Sequence, residues 1–220
     1  MTTPADIFTY IDRRPHLDPI YICGSGPSLT SALPRIPKTA TTIALNSAIR
    51  ADREFTFWFA FDLGMMKLYP WWHTITLPDE TCTVFGIALA QAHLPTEECR
   101  SGRIPLHYSF QYRARISGQY NREIMGGTPS SPLLHGYLQG NISIAGCAVQ
   151  FAAWAGARKI ILAGVDMRGN QHFDASVNAK MTTGEWGIAK KLRWLSASLK
   201  TQHGIDVVSL TPTALNVPII

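Results

Sequence analysis

A glycine-rich turn near the N-terminus constrains the fold of this chain more than any other feature. Residues 20–29 read Ile-Tyr-Ile-Cys-Gly-Ser-Gly-Pro-Ser-Leu, so an apolar run rich in β-branched residues breaks abruptly into a turn. Such turns hold phosphates in α/β proteins, because glycines allow positive φ and close approach of a ligand, and because helix N-termini attract anions. We therefore expect Gly24 and Gly26 to admit a ligand and Ser28 to cap a following helix.

The turn differs from the dinucleotide-binding fingerprint at two positions. Leu29 stands where G-x-G-x-x-G needs its third glycine, and Pro27 removes one N–H donor. The next apolar strand ends at Asn46, whereas NAD-binding proteins use a carboxylate for the ribose hydroxyls. These differences argue against ordinary NAD binding.

Short apolar segments alternate with helical ones along the chain, which is the α/β pattern. We predict one α/β domain over 1–220 with a doubly wound, mostly parallel, Rossmann-like sheet, since most of the strands are apolar on both faces. Periodicity fails over 95–140, where we expect an inserted lid or small subdomain. The predicted strands are Ile20–Cys23, Thr42–Leu45, Phe55–Phe61, Thr83–Phe85, Lys159–Leu162 and Asp206–Leu210.

Composition narrows the class of protein. The 220 residues are 46% hydrophobic and 16% charged, which suits a buried core. No signal-peptide core is present and no apolar window reaches the roughly 18 residues that span a bilayer, so we expect a soluble, cytoplasmic protein. The net charge of +5 is scattered, which argues against a nucleic-acid partner. The four cysteines lie far apart and are expected to be buried thiols.

Two later segments predict helices. In residues 141–156, Ser143 is a natural N-cap and Gly156 a natural C′ residue, and a strand then leads to Asp166. A serine at a helix start and an aspartate after a buried strand both lie where open α/β sheets bind ligands. Residues 184–204 carry leucines at helical spacing with basic residues around them. Peripheral membrane contact through those basic residues stays open, and so does a homo-oligomer.

Three blocks of the sequence resemble one family. The opening I-C-G-S-G-P-S-L, the run Gly164-Val165-Asp166 followed by Phe173-Asp174, and the closing strand and turn over 204–216 are similar to the bacterial CMP-sialic-acid-dependent sialyltransferases and the related Maf-type flagellin glycosyltransferases. The blocks cover 20–62, 141–174 and 204–216. The resemblance implies a GT-A-like fold and transfer of a sugar, without a metal or other cofactor, from a nucleotide-activated, CMP-linked donor to a glycan or other small-molecule acceptor.

The same resemblance assigns the binding residues unevenly. The sialyltransferases have asparagine where this chain has Ser25, and Asp62 stands where they have another asparagine and the Maf-type relatives tend toward aspartate. Ser143 matches the serine on the phosphate side to within one residue. The positions that the resemblance places at the nucleotide are Gly24, Ser25, Gly26, Pro27, Ser28, Asn46, Asp62 and Ser143.

The catalytic residues match less well. The sialyltransferases use a histidine downstream of Phe-Asp, but residues 175–202 contain no histidine here. The nearest is His172, which has the pKa range of a general base, while Arg168 could stabilise phosphate charge. Asp166 would orient ribose or acceptor.

Two other functions stay open at this point. A magnesium-dependent phosphoryl or pyrophosphoryl transferase is one, because the archaeal hydroxymethylpterin pyrophosphokinases share the Gly-Pro-Ser-Leu opening and Asp62 with Asp166 could hold Mg²⁺. A non-catalytic nucleotide- or glycan-binding module that has lost its base is the other.

Overall fold

The computed structural model describes residues 5–6, 17–60, 70–88, 104, 107–112, 143–167, 173 and 185–220. Short 3₁₀ turns cover Leu33–Arg35, Asn46–Arg50 and Pro70–His73. The helices are α1 (Leu29–Ala32), α2 (Ile144–Trp154) and α3 (Glu185–His203). The strands are β1 (Ala5–Asp6), β2 (Ile20–Cys23), β3 (Thr41–Leu45), β4 (Phe57–Ala60), β5 (Cys82–Ala88), β6 (Tyr108–Tyr112), β7 (Lys159–Ala163) and β8 (Asp206–Ser209).

Within these ranges the eight strands form one sheet in the order β1-β6-β5-β4-β3-β2-β7-β8. Every neighbouring pair is parallel, which confirms the predicted doubly wound fold. All six predicted strands are present, while β1 and β6 were not predicted. Strand β6 falls inside 95–140, and most of that segment lies outside the described residues, so the lid stays a prediction.

The sheet is buried on both faces because β2 and β4 are apolar at every position and β3 and β7 are apolar at most. In β2, Ile20 and Ile22 pack on one side with α2 and α3, and Tyr21 and Cys23 pack on the other with α1. The period of two along a strand divides the core into these two layers. Helices therefore cover both faces, as parallel sheets require.

The chain reverses direction across the sheet between β2 and β7. From β2 it crosses through α1 to β3 on one side, and from β7 it crosses through α3 to β8 on the other. The helices that follow β2 and β7 therefore lie on opposite faces of the sheet. Open α/β sheets bind their ligands in the crevice at such a switch point.

Both long helices end and begin as the sequence predicts. Ser143 is the N-cap of α2, and Gly156, with φ of +93°, ends it where the Ala157 N–H bonds to the Ala152 carbonyl at 3.1 Å. In α3, Leu192, Leu195 and Leu199 are fully buried. The exposed basic residues of α3 include Lys190, Arg193 and Lys200. No described helix is long and apolar enough to cross a membrane.

The described cysteines are thiols, as predicted. Cys23 and Cys147 are buried, Cys82 is partly buried, and Cys99 lies outside the described residues. Burial raises the pKa of the Cys23 thiol to about 12, with a smaller opposing effect from the positive charge of Arg53. Burial also raises the pKa of Cys147 well above its ordinary value. Both thiols therefore belong to the core rather than to a reactive site.

Candidate functional site

The backbone of the glycine-rich loop is occupied by the protein itself. The Gly24 N–H bonds to the Ala163 carbonyl at 2.7 Å, and the Gly26 N–H bonds to the Gly164 carbonyl at 2.8 Å. The Ser28 N–H donates to Asp166 Oδ2 at 3.0 Å, and Pro27 has no N–H. Of the four N–H groups over residues 24–28, only that of Ser25 has no partner in the described part of the chain. Three of these four N–H groups are therefore not available to an anion.

Close packing requires a glycine at both positions. A Cβ on Gly24 would lie 2.5 Å from the Gly164 carbonyl oxygen, and one on Gly26 would lie 2.4 Å from Asp166 Oδ2. Neither has a positive φ, which among the described glycines occurs at positions 156, 164 and 204. Their role is to let the loop after β2 lie directly against the residues that follow β7.

Asp166 joins the two loops. Both of its carboxylate oxygens accept hydrogen bonds from Ser28, Oδ2 from the N–H and Oδ1 from the hydroxyl, which also lies 2.8 Å from Thr211 Oγ1. Asp166 is 8% exposed. Ser28 makes no side-chain cap to α1, which has only four residues, so the predicted capping role of Ser28 is wrong. Its hydroxyl instead ties the loop to Asp166.

Residues 211–214, in the closing segment of the chain, hydrogen-bond to the backbone around Asp166 and to Ser28. The Ala214 N–H bonds to the Asp166 carbonyl at 2.9 Å, and the Thr213 hydroxyl donates to the Val165 carbonyl at 2.6 Å. Buried Thr211 contacts Ser28 from the same segment. Three regions that are distant in sequence therefore fix one side of the crevice.

Ser25 links the loop to two further segments. Its hydroxyl donates to the Leu45 carbonyl at 3.2 Å and lies 3.1 Å from Ser47 Oγ. Its own carbonyl accepts from the Phe173 N–H at 3.0 Å, which brings part of the segment after β7 onto the loop. Sequence reasoning missed Ser47, because a lone serine after a strand carries no motif.

Asn46 lies directly after β3, at the same edge of the sheet. Its φ is 48°, a left-handed conformation that asparagine tolerates better than most residues, and its carbonyl accepts from the Trp58 indole N–H at 2.7 Å. An asparagine is therefore favoured here by backbone geometry as well as by the predicted nucleotide contact.

Ser143 lies at the amino end of α2, which runs antiparallel to β7 and so begins at the carboxyl edge of the sheet. Its hydroxyl oxygen accepts from the Gly146 N–H at 3.4 Å, so its proton can still be donated elsewhere. Its φ of 109° and ψ of 169° lie in a region that is almost exclusive to glycine.

Backbone strain concentrates at this edge. Four described non-glycine residues have positive φ, and three of them lie here, namely Asn46, Ser143 and Met167 immediately after Asp166. Strained residues cluster at functional sites because the surrounding fold holds them there. The fourth, Asn216, lies in the closing turn.

Three predicted site residues lie outside the described residues: Asp62, Arg168 and His172. Their predicted roles stay predictions. The described parts of the chain contain no cluster of three His, Cys, Asp or Glu side chains that could hold a metal ion. A cavity of about 610 Å³ lies away from the crevice, beside Thr30, Lys38 and Arg53, and no predicted site residue lines it.

Comparison with solved structures identifies the fold. The Maf glycosyltransferase from Magnetospirillum magneticum AMB-1 matches 93% of this chain with a TM-score of 0.54 and 14% sequence identity. The chain shares the fold of the matched part of this glycosyltransferase. It spans 33% of that protein's length. The GT-A-like fold that the sequence resemblance implies is thereby confirmed.

A second solved structure is similar over most of its length. The sialyltransferase CstII from Campylobacter jejuni, in complex with cytidine-5′-monophosphate, matches with a TM-score of 0.49 and 16% identity, over 93% of this chain and 85% of that one. No protein-family model matches the chain, and no curated protein matches its sequence.

Proposed function

We propose that this chain binds a nucleotide at the carboxyl edge of the sheet, beside the loop after β2 and the amino end of α2, and transfers a sugar from a nucleotide-activated, CMP-linked donor. The observation that carries the proposal is the position of Ser143. Its strained backbone and its hydroxyl at the amino end of an 11-residue helix support a phosphate site there, in a fold similar to that of a glycosyltransferase.

The phosphate is assigned to α2 rather than to the glycine-rich loop. Three N–H groups of the loop already have internal acceptors, and Asp166 brings a negative charge to it. The first N–H groups of an α-helix have no acceptor within the helix, and the helix dipole adds a partial positive charge there. A phosphate is therefore better stabilised beside Ser143 than beside Gly26.

The uncharged part of the nucleotide is assigned to the other side of the crevice. Ser25 and Asn46 offer neutral polar groups at adjacent strand ends, which suits a base or a ribose. The glycines and Pro27 shape this wall without contributing charge. Asp166 holds the wall in place as a positioning residue, and Asp62 is assigned to ribose or acceptor on the sequence resemblance alone.

The proposed reaction is displacement at the anomeric carbon. An acceptor oxygen forms a bond to that carbon while the bond from the carbon to the nucleotide phosphate oxygen breaks, and the phosphate leaves with the bonding electrons. His172 takes the proton of the acceptor, and Arg168 stabilises charge on the departing phosphate. Both assignments rest on the sequence, since these residues are not among those described.

Turnover of a CMP-linked sugar in EDTA, with water as acceptor, tests the reaction. We expect slow metal-independent hydrolysis that falls about 10²- to 10⁴-fold in His172→Ala while CMP affinity stays unchanged. His203→Ala, which alters an exposed histidine at the end of α3, is the matched control and should be unaffected.

Three other outcomes would change the proposal. Unchanged hydrolysis in His172→Ala removes that residue from the mechanism. ATP turnover that requires Mg²⁺ would favour the phosphoryl-transfer reading. Nucleotide binding with no donor consumed would favour the binding module.

A further inference from the structure

Two serine hydroxyls meet where the loop after β2 faces the end of β3. Ser25 Oγ lies 3.2 Å from the Leu45 carbonyl oxygen and 3.1 Å from Ser47 Oγ. Ser25 and Ser47 are both partly exposed, and Asn46 lies between Leu45 and Ser47 in the chain. The pair therefore lies on the crevice wall that we assign to the uncharged part of the nucleotide.

The chemistry of the three groups fixes the direction of the protons. A carbonyl oxygen can only accept, and a serine hydroxyl has one proton and two lone pairs. If Ser25 makes both contacts, its proton goes to the Leu45 carbonyl and Ser47 must donate its own proton to Ser25. The protons then run from Ser47 to Ser25 to Leu45.

Because the Ser25 proton is used in the hydrogen bond to the Leu45 carbonyl, the Ser25 hydroxyl cannot donate to a ligand. One of its lone pairs accepts from Ser47, and within the described part of the chain the other has no donor and can accept from a ligand. Hydrogen bonds in such chains polarise one another, so the bond to the Leu45 carbonyl strengthens Ser25 as an acceptor. An asparagine at this position, as in the sialyltransferases that the sequence resembles, would offer both an acceptor and a donor.

We infer that Ser25, oriented by Ser47, is a specificity-determining acceptor that selects ligands presenting a hydrogen-bond donor to this wall of the crevice. The inference rests on the proposed nucleotide site, and it specifies that this wall of the site accepts a hydrogen bond from the ligand rather than donating one. The donor chemistry is an O–H or N–H group. In a cytidine nucleotide it can come from a ribose hydroxyl or from the 4-amino group of the base.

A ligand series separates these two sources. UMP replaces the 4-amino group of CMP by an oxygen acceptor, and 2′-deoxy-CMP and 3′-deoxy-CMP each lack one ribose hydroxyl. We expect one of these changes to weaken binding to the wild-type protein by about 2- to 13-fold, as the loss of a neutral hydrogen bond does. A larger loss with UMP would identify the amino group, because two acceptors would then face each other.

The serine variants test whether Ser25 and Ser47 cause that preference. Ser25→Ala should reduce the preference ratio to about one, and Ser47→Ala should reduce it partly, whereas Ser47→Thr keeps the hydroxyl and should restore it. Ser198→Ala, which removes a partly exposed serine from the far part of α3, should keep the wild-type ratio. A ratio of affinities does not change merely because a variant is less stable.

Two results would overturn the inference while leaving the proposed function intact. One is CMP binding with no preference among the four ligands. The other is a preference that persists unchanged in Ser25→Ala. Failure of wild-type protein to bind any of the four nucleotides would refute the inference together with the proposed nucleotide site.

Discussion

Replacing Ser143 by glycine is expected to stabilise the protein while weakening nucleotide binding. Ser143 holds φ at 109° and ψ at 169°, where a Cβ is sterically unfavourable and glycine is not. Its side chain makes one long hydrogen bond, 3.4 Å from the Gly146 N–H. In the folded state, removing the side chain therefore relieves more backbone strain than the lost hydrogen bond contributed in stability.

The magnitude follows from three contributions. Backbone strain of this kind costs about 1–3 kcal/mol. Exchanging a serine N-cap for glycine costs only about a few tenths of a kcal/mol, and the extra freedom of glycine in the unfolded chain costs roughly 0.4–1 kcal/mol. The net effect is a gain of about 1 kcal/mol, which for 220 residues raises Tm by roughly 2–4 °C.

Ser143→Ala is the matched variant, because it removes the hydroxyl and keeps the strain. It should lower the free energy of unfolding by about 1 kcal/mol through loss of the cap. Urea denaturation of both variants measures the difference, and CMP affinity should fall in both, since neither retains the hydroxyl. A glycine variant no more stable than the alanine variant would refute the strain argument, and unchanged affinity in both would refute the phosphate contact.

Two further predictions concern the wall of the crevice and the core beside it. Gly26→Ala places a Cβ 2.4 Å from Asp166 Oδ2 and should destabilise the protein by more than about 2 kcal/mol. Gly156→Ala, at a residue with positive φ but with no atom within 4 Å of the new Cβ, should cost only about 1 kcal/mol. Equal losses in the free energy of unfolding, measured by urea denaturation, would contradict this. Burial raises the pKa of Cys23 from 9.0 to about 12, so the thiol of the unfolded chain ionises at lower pH than that of the folded protein. The stability that the protonated Cys23 contributes is therefore complete below pH 9. It is lost as pH rises from 9 to 12, by up to about 1.4 kcal/mol per pH unit. Cys23→Ala should show a shallower loss over that range, and an identical loss would count against the assignment.

Much of the fold could be predicted because its signals are local. The apolar strands, the N-cap at Ser143 and the terminal Gly156 all follow from residues close in sequence. Strand β6 carried a usable signal as well, since its Tyr-Ser-Phe-Gln-Tyr alternates aromatic and polar residues with a period of two. That pattern was obscured by the surrounding arginines and glycines.

The chemistry of the glycine-rich loop could not be predicted, because it depends on distant residues. Whether the Ser28 N–H is available to a ligand is decided by Asp166, which is 138 residues away in sequence. The same holds for the hydroxyl pair of Ser25 and Ser47, 22 residues apart, which no spacing rule brings together. A motif indicates where a site lies but not which of its donors are already used.

Titration of the wild-type protein with CMP by calorimetry tests the central claim most directly. The measurement should include Asn46→Ala and, as its control, Asn216→Ala, which removes an asparagine held at a similar φ of 58° in the closing turn. We expect wild type and Asn216→Ala to bind CMP alike and Asn46→Ala to bind at least about 10-fold more weakly, with stabilisation of about 2.7 kcal/mol at 100 times Kd. Absence of binding to the wild-type protein at millimolar CMP would contradict the account.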